Sequence, residues 1–229
     1  MENRHPCLDC DQRCLNQFVP EEELASIINT MEYESGENII KQGSLIQNRF
    51  LLCNGCVKIG TTNHQGKKAI FSLLCNPEII EKSCFHSSRD RYPINAVAVT
   101  DVTVGTITID EFDRLGEKYP RVFDYLTEQI SRELDFQQEK SAMNRWGGAR
   151  ENLIWLISSL YHKLDHDGRN GGTLDLNMSE QDLANMLGVS RETVVIHLSS
   201  LKKKGVARAT RGSVIVLDYD GLQKVRENL

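Results

Sequence analysis

The segment 178–217 most constrains the fold, because it encodes two short helices with recognisable start and stop signals. Ser179 is a good N-cap, and Asp182 three residues later completes a capping box. Gly188 ends this first helix, and Ser190 caps the second. Two helices joined by a short glycine-containing turn form a helix-turn-helix, whose second helix can enter the major groove of DNA.

The second helix divides its residues between two faces. Val194, Leu198 and Leu201 recur at helical spacing and are expected to pack inward, before Gly205 stops the helix. The outer face then carries Arg191, Glu192, Val195, Ile196 and Ser199. Beyond the helix, segments 206–209 and 213–217 read as two strands of a wing.

Positive charge is concentrated in this segment although the whole chain has a net charge of −5. The run Lys202–Lys204 alone is equally explained as a solvated helix end, where cations suit the helix dipole. Together with two capped helices and a wing, it indicates phosphate contacts. The predicted DNA-binding residues are Ser190, Arg191, Glu192, Val195, Ile196, Ser199, Lys202, Lys203, Lys204, Arg208 and Arg211.

The sequence Ser-Arg-Glu-Thr-Val at residues 190–194 resembles the CRP/FNR family, named after the cyclic-AMP receptor protein and the fumarate-nitrate-reduction regulator. The resemblance covers nearly the whole chain. It implies a homodimeric transcription factor that binds double-stranded DNA and contacts RNA polymerase. The implied fold is α+β, with an N-terminal cyclic-nucleotide-binding-like β-roll, a long dimerisation helix and a C-terminal winged helix-turn-helix.

Four segments follow from the pattern along the chain. Regularly spaced glycines separate short apolar segments between Gly36 and Gly66, and Gln65-Gly66 is a hairpin turn. Asp110 is expected to cap a short helix that Gly116 ends, and Pro120 opens a helix reaching Trp146. The predicted segments are a cysteine-bearing arm (1–19), a sensory β-roll (20–118), a dimerisation helix with its hinge (119–147) and the DNA-binding domain (148–229).

Three cysteines stand close together near the N-terminus, at Cys7, Cys10 and Cys14. This spacing lets three thiolates converge on one centre from a short loop. The FNR branch of the family is similar in holding a four-iron four-sulfur cluster with three N-terminal cysteines and one distant cysteine. Its distant ligand position falls near Gly105 here, so another cysteine must serve, and Cys84 in a polar stretch is the predicted fourth ligand.

Other interpretations of the cysteines remain open. A zinc site completed by His5 or by a cysteine of the roll, a thiol-redox switch and inert reduced thiols are each compatible with the run. Seven cysteines are an odd number, so a disulfide framework is not expected. Cys53 and Cys75 lie among leucines and are expected to be small buried hydrophobic residues, although Cys53, Cys56 and Cys75 are alternative fourth ligands.

The residues that hold cyclic AMP in the family are not matched here. The region that should provide a ribose-binding Gly-Glu reads Pro-Glu-Ile-Ile-Glu at 77–81, and Ile94-Asn95 replaces the phosphate-binding Arg-Ser pair. A buried phosphate facing Ile94 would lack its charge partner. We therefore expect redox or diatomic-gas sensing. The alternatives are a haem-dependent nitric-oxide or carbon-monoxide sensor using His64, His86 or His162, and a cyclic-nucleotide-responsive regulator.

The sequence also argues against several classes of protein. It contains no glycine-rich phosphate loop, H-E-x-x-H or G-x-S-x-G motif, so an enzyme is not expected. Membrane-spanning helices need about 18 or more consecutive apolar residues, and neither such a run nor an apolar signal-peptide core occurs. We expect a cytoplasmic protein without membrane partners.

Overall fold

The computed structural model describes residues 14–75, 77–82, 90–164 and 174–227. It confirms the predicted α+β class. The chain divides into two compact units, one of Met1–Gly66 with Leu73–Leu134 and the other of Lys67–Ser72 with Asp135–Leu229. No helix within the described ranges is long and apolar enough to cross a membrane.

The first unit is built on a β-roll. Its sheets have the strand orders β1-β8-β3-β6 and β2-β7-β4-β5. The elements between residues 15 and 146 are, in chain order, a 3-10 turn Leu15–Gln17, α1 Glu21–Ile27, β1 Asn29–Tyr33, β2 Asn38–Ile40, β3 Asn48–Asn54, β4 Val57–Thr62, β5 Lys68–Leu74, β6 Glu78–Ile79, β7 Asn95–Ala98, β8 Val102–Thr108, α2 Ile109–Lys118 and the long helix α3 Arg121–Trp146. Most of β5 and the second half of α3 are assigned to the other unit.

The roll has two cores because strand side chains alternate between the faces of a sheet. In β3, Leu51 belongs to a core with Leu24 and Phe112, while Leu52 belongs to a second core with Val57 and Val104. The first core lies between the outer helices and one sheet, and the second lies inside the roll. β3 is therefore buried on both faces and pairs antiparallel with β8.

The turn before β4 requires a glycine. Gly55 has φ +87°, and a Cβ there would stand 2.4 Å from the carbonyl oxygen of Asp101. The predicted hairpin turn at Gln65-Gly66 lies between β4 and β5, with Gly66 at φ +77°. Both glycines therefore serve the backbone conformation, as the sequence pattern indicated.

The prediction of a short helix near residue 110 was wrong about its N-cap residue and about the residue at which it ends. Thr108, not Asp110, is the N-cap of α2, and it forms a reciprocal capping box with Glu111. Gly116 does not stop the helix, which continues to Lys118. A Cβ on Gly116 would stand 2.2 Å from the ring of Phe123, so glycine is needed there for close packing.

The long helix begins one residue after Pro120 and ends at Trp146, as predicted. Val122, Tyr125 and Leu126 in its first half are buried. Further along the same helix, Ile130 is 38% exposed and Leu134 is 55% exposed. An apolar stripe thus continues on α3 beyond the part that the roll covers.

The second unit packs helices around a small sheet. Its elements are α4 Ala149–Leu164, β9 Leu174–Asp175, α5 Glu180–Leu187, α6 Arg191–Lys203, β10 Ala207–Ala209, β11 Val214–Val216 and α7 Tyr219–Glu227, and the sheet order is β10-β11-β9. The sequence analysis did not anticipate α7. The ring of Tyr219 at its start stacks on Tyr161 of α4, with centroids 4.1 Å apart.

Candidate nucleic-acid interface

The helix-turn-helix formed by α5 and α6, called the reader below, has the helix boundaries that the sequence indicated. Ser179 Oγ accepts a hydrogen bond from the backbone N–H of Asp182 at 3.1 Å, and Asp182 accepts one from the backbone N–H of Ser179. Gly188 ends α5 in the left-handed region at φ +71°. Ser190 Oγ then accepts from the backbone N–H of Thr193 at 3.2 Å and starts α6.

Helix α6 separates a buried face from an exposed one. Val194, Leu198 and Leu201 are at most 3% exposed and fill the core of the unit. Of the predicted base-contacting residues, Val195 is half-buried and the others are exposed: Arg191, Glu192, Ile196 and Ser199. Ile196 is 66% exposed, so its apolar side chain is accessible on this face.

The basic residues lie at the end of α6 and on the wing. The wing strands β10 and β11 are joined through a turn in which Thr210 N–H donates to Ser213 O at 2.8 Å, with Gly212 at φ +95°. Every basic residue that the sequence placed here is exposed: Lys202, Lys203, Lys204, Arg208 and Arg211. Their charges are therefore available to phosphates.

Glu192 is held in its ionised form. Hydrogen bonding to its own backbone N–H and to Ser190 keeps the pKa of the Glu192 carboxyl below its usual range. An ionised carboxylate only accepts hydrogen bonds. Glu192 is thus suited to accept from an amino group such as that of cytosine.

Sequence reasoning missed one residue of this surface, Glu180. Its Oε2 accepts hydrogen bonds from both Nε and Nη2 of Arg191, at 3.1 Å and 2.7 Å. Glu180 is the first residue of α5 and Arg191 is the first residue of α6. No local pattern pairs residues of different helices, so the ion pair becomes visible only once the turn is folded.

The polar side chains beside Ile94, which the sequence analysis matched to the family's cyclic-phosphate position, hydrogen-bond within the roll. Ile94 is 6% exposed. The side chain of Asn95 accepts from the backbone N–H of Gln42 at 3.0 Å and donates to Gln42 Oε1 at 3.2 Å. Gln42 Oε1 also accepts from Thr62 N–H at 2.9 Å. The side-chain amides of Gln42 and Asn95 therefore hydrogen-bond to each other and to the neighbouring backbone.

Glu81, in the region matched to the ribose-binding position, is fully buried. Both its carboxylate oxygens accept from the backbone N–H of Phe50, at 3.2 Å and 3.1 Å. Burial raises the pKa of Glu81 to about 7, against the opposing influence of Phe50 N–H, Arg49 and Lys82. The Glu81 carboxyl is thus a hydrogen-bond acceptor for the backbone of β3.

The sequence analysis expected no disulfide framework and did not predict the single disulfide that the described residues contain. The structure joins Cys56 and Cys75, whose Cα atoms are 4.2 Å apart. Cys56 precedes β4 and Cys75 follows β5, and the two cysteines are equally far in sequence from the Gln65-Gly66 turn. That symmetry was a usable signal, because the outer ends of a hairpin meet.

Only part of the predicted metal site lies within the described residues, since Cys7, Cys10 and Cys84 fall outside them. Cys14 is 5% exposed and belongs to the core between helices and sheet, against which Cys53 also packs. A Cβ at Gly105 would stand 3.6 Å from Cys53 Sγ. Among the described residues, no group of three His, Cys, Asp or Glu side chains could hold a metal ion.

Comparisons with known families cover both units. Residues 30–119 match the cyclic nucleotide-binding domain, and residues 153–225 match the Crp-like helix-turn-helix domain. Together the two matches span most of the chain. They do so in the order that the CRP/FNR resemblance implied.

Curated relatives align with the chain over nearly its full length. Electron transport regulator A of Shewanella oneidensis is 24% identical, over 97% of this chain and 90% of that protein. Transcriptional activator protein FnrL of Cereibacter sphaeroides is 26% identical, over 94% and 89%. The fumarate and nitrate reduction regulatory protein of Escherichia coli is 24% identical, over 93% and 86%.

Solved structures share the fold. FixK2 from Bradyrhizobium japonicum superimposes with a TM-score of 0.72 at 18% identity, covering 86% of this chain and 96% of that one. A CooA mutant from Carboxydothermus hydrogenoformans gives a TM-score of 0.71 at 19% identity, covering 93% of both. With its roll, long helix and exposed recognition helix, the chain belongs to the CRP/FNR family of DNA-binding transcription regulators.

Proposed function

We propose that this protein binds a two-fold-symmetric operator as a homodimer and regulates transcription according to redox state or a diatomic gas. The observation that carries the DNA-binding half is the exposed face of α6, which presents Arg191, Glu192 and Ile196 while its other face is fully packed. The protein acts in the cytoplasm with RNA polymerase and has no catalytic activity of its own.

Each exposed residue of α6 has a chemical preference in the major groove. Arg191 donates to the O6 and N7 atoms of a guanine, and Glu192 accepts from a cytosine amino group. The better-known family members carry a second arginine where this chain has Ile196. An apolar side chain cannot donate, but it can contact a thymine methyl group, so the half-site differs from the common family half-site at that base pair.

A binding selection on random DNA, followed by titration of variants, tests these roles. Arg191→Ala should lower operator affinity by roughly 1–3 kcal/mol and relax the preference at one base pair. Lys203→Ala is the matched control, since loss of a phosphate contact weakens all sequences alike and flattens the salt dependence. Equal loss for operator and random DNA in Arg191→Ala would contradict base reading.

The dimer is inferred from α3. Its exposed Ile130 and Leu134 are spaced one helical turn apart and continue the apolar stripe of the helix. A second copy of the same stripe would bury both side chains in a two-helix seam. Two readers then meet half-sites about one helical turn of DNA apart.

For the sensor, we propose a four-iron four-sulfur cluster held by Cys7, Cys10, Cys14 and one further cysteine. Cys56 and Cys75 bond each other in the structure, which leaves Cys53 and Cys84. The position of Cys53 supports it over Cys84, because Cys53 packs on the same core as Cys14 and lies beside Gly105, where the FNR branch has its distant ligand. Such a cluster supplies oxygen-labile iron–thiolate bonds.

Protein purified without air tests this assignment. We expect broad thiolate-to-iron absorption and iron at about four atoms per chain, with loss of both in Cys53→Ser and retention in Cys84→Ser. Retention in Cys53→Ser with loss in Cys84→Ser would return the fourth ligand to Cys84. A sharp haem Soret band, or zinc without colour, would overturn the cluster.

The proposed cluster acts on DNA binding through the dimer. Cys7, Cys10 and Cys14 together with a roll cysteine would tie the N-terminal segment to the roll when they hold a cluster, and this tie would change how α3 meets its partner copy. The iron-loaded protein should then be the tighter dimer and the tighter DNA binder, and Cys10→Ser should make both properties indifferent to oxygen. Sedimentation and operator titration with and without air measure the two effects.

A further inference from the structure

The contact between Glu180 and Arg191 joins the first residues of the two reader helices. Glu180 directly follows the N-cap Ser179, and a carboxylate in the first turn of a helix is favoured by the helix dipole. The side chain of Glu180 is 18% exposed, whereas that of Arg191 is 57% exposed. The acidic partner is therefore the fixed one, and the basic partner reaches outward from it.

The geometry leaves one edge of the guanidinium available. Arg191 uses Nε–H and one hydrogen of Nη2, both directed at the single oxygen Oε2 of Glu180. A guanidinium has five N–H donors in one plane, so both hydrogens of Nη1 and the second hydrogen of Nη2 remain. Nη1 and Nη2 together form the end of the fork, which matches the O6 and N7 acceptors of guanine.

We propose that Glu180 is a positioning residue that fixes the guanidinium of Arg191 for reading guanine. This inference rests on the proposed base-reading role of Arg191. A long side chain loses rotamer freedom when it binds, and part of that loss is already met when the free protein holds the side chain in place. The orientation also disfavours other bases, because the fork cannot swing to alternative acceptors.

The same carboxylate has a second, opposite effect. Its negative charge lies on a surface that approaches DNA phosphates, so it weakens binding to DNA of every sequence. Glu180 thus lowers non-specific affinity while it raises discrimination. These two effects separate a positioning role from simple repulsion or from competition for the arginine.

Glu180→Gln tests the proposal on the full-length protein, because it removes the charge and keeps the shape of the side chain. We expect the preference for guanine at the Arg191 base pair to fall roughly 3- to 10-fold, while affinity for random DNA rises by about 2-fold. Glu227→Gln, which removes an exposed carboxylate at the end of α7, is the matched charge control and should leave the preference unchanged.

Two results with Glu180→Gln itself would overturn the positioning role. If Glu180→Gln tightened all sequences equally, Glu180 would only repel phosphates; if the guanine preference rose, Glu180 would compete with guanine for Arg191. Glu180→Ala in an Arg191→Ala background should leave the base preference unchanged, which shows that the effect passes through the arginine. An unchanged preference in Arg191→Ala alone would reject base reading itself, and the positioning role with it.

Discussion

The roll and the reader use polar side chains in opposite directions. In the roll, Gln42 and Asn95 bond each other and the neighbouring backbone, and Glu81 is buried against Phe50 N–H. In the reader, Arg191 and Glu192 are exposed at the surface of α6. The chain thus pairs these polar groups of the roll internally and leaves those of the DNA-binding face exposed.

The difference shows that a shared fold does not carry a shared ligand. Each unit contains a match to a domain of the family, yet the roll lacks the Gly-Glu and Arg-Ser pairs that the family resemblance would lead one to expect. Ile94 is buried and Asn95 bonds Gln42, so neither side chain offers a positive charge to a phosphate. We therefore propose the cysteines as the sensing site.

The largest expected effects on stability come from truncating one buried leucine in each of the two regions. Leu198→Ala should cost about 3 kcal/mol of the C-terminal unit's stability, because Leu198 is 3% exposed and truncating a buried leucine costs 2–5 kcal/mol. Hydrogen exchange should show reduced protection for amides of α5 and α6. Leu52→Ala is the counterpart and should expose β3 and β8 instead; equal losses of protection in both regions from either variant would break the comparison.

The next prediction concerns the buried carboxyl of the roll. Burial raises the pKa of Glu81 from the ordinary value of 4.5 to about 7. The contribution of this carboxyl to the free energy of unfolding is therefore fully present below pH 4.5 and is lost as the pH rises to 7. The loss is about 3 kcal/mol. Glu81→Gln cannot ionise, so its stability should fall less than that of the unmodified protein between pH 5 and pH 8.

Urea unfolding at the two pH values measures this difference. Glu32→Gln is the control, because Glu32 is exposed on β1 and should not alter the pH dependence. Parallel pH profiles for Glu81→Gln and the unmodified protein would show that the carboxyl is not the group that titrates. Gln42 and Asn95 would then be the remaining support for the comparison between the internally bonded polar groups of the roll and the exposed ones of the reader.

A smaller effect, on base preference, is expected when a hydrogen-bond donor is introduced on the exposed face of α6. Ile196→Arg should move the preference at one base pair from thymine to guanine, by about 1–3 kcal/mol. Ile196→Leu should keep thymine, since it keeps an apolar side chain. Selection on random DNA provides the comparison, and recovery of the same base with isoleucine and arginine would remove Ile196 from the reading surface.

The smallest effect tests the start of the reading helix. Ser190→Ala should lower the free energy of unfolding by about 1 kcal/mol, because it removes an N-cap. Ser199→Ala should be nearly neutral, since Ser199 is exposed and donates only to Val195 O within the helix. Thermal unfolding compares the two, and equal midpoints would mean that the cap of α6 contributes nothing.

Local signals predicted much of the fold, and contacts distant in sequence were what they missed. The caps at Ser179 and Ser190 and the turn at Gly188 depend on adjacent residues, so the sequence alone located them. The ion pair of Glu180 with Arg191 needs two helices to meet at a set angle. The Cys56–Cys75 bond needs a correctly aligned hairpin.

Some local signals were misread because packing changed their meaning. Gly116 looked like a helix stop, but the structure uses its missing side chain to admit the ring of Phe123. Thr108 took the capping role expected of Asp110 because β8 runs directly into α2 and moves the start of the helix. The roles of the DNA-contacting residues and of Cys7, Cys10 and Cys84 remain predictions.

The exposed side chain of Ile196 has a consequence for the cell's network of regulators. In the proposed reading mode, a guanine opposite Ile196 would lose its hydration without gaining a donor, which costs free energy. DNA sites chosen by an arginine at that helix position would thus be poor targets for this protein. A genome that encodes several regulators of this fold could in this way keep their sets of target genes separate through one aliphatic residue.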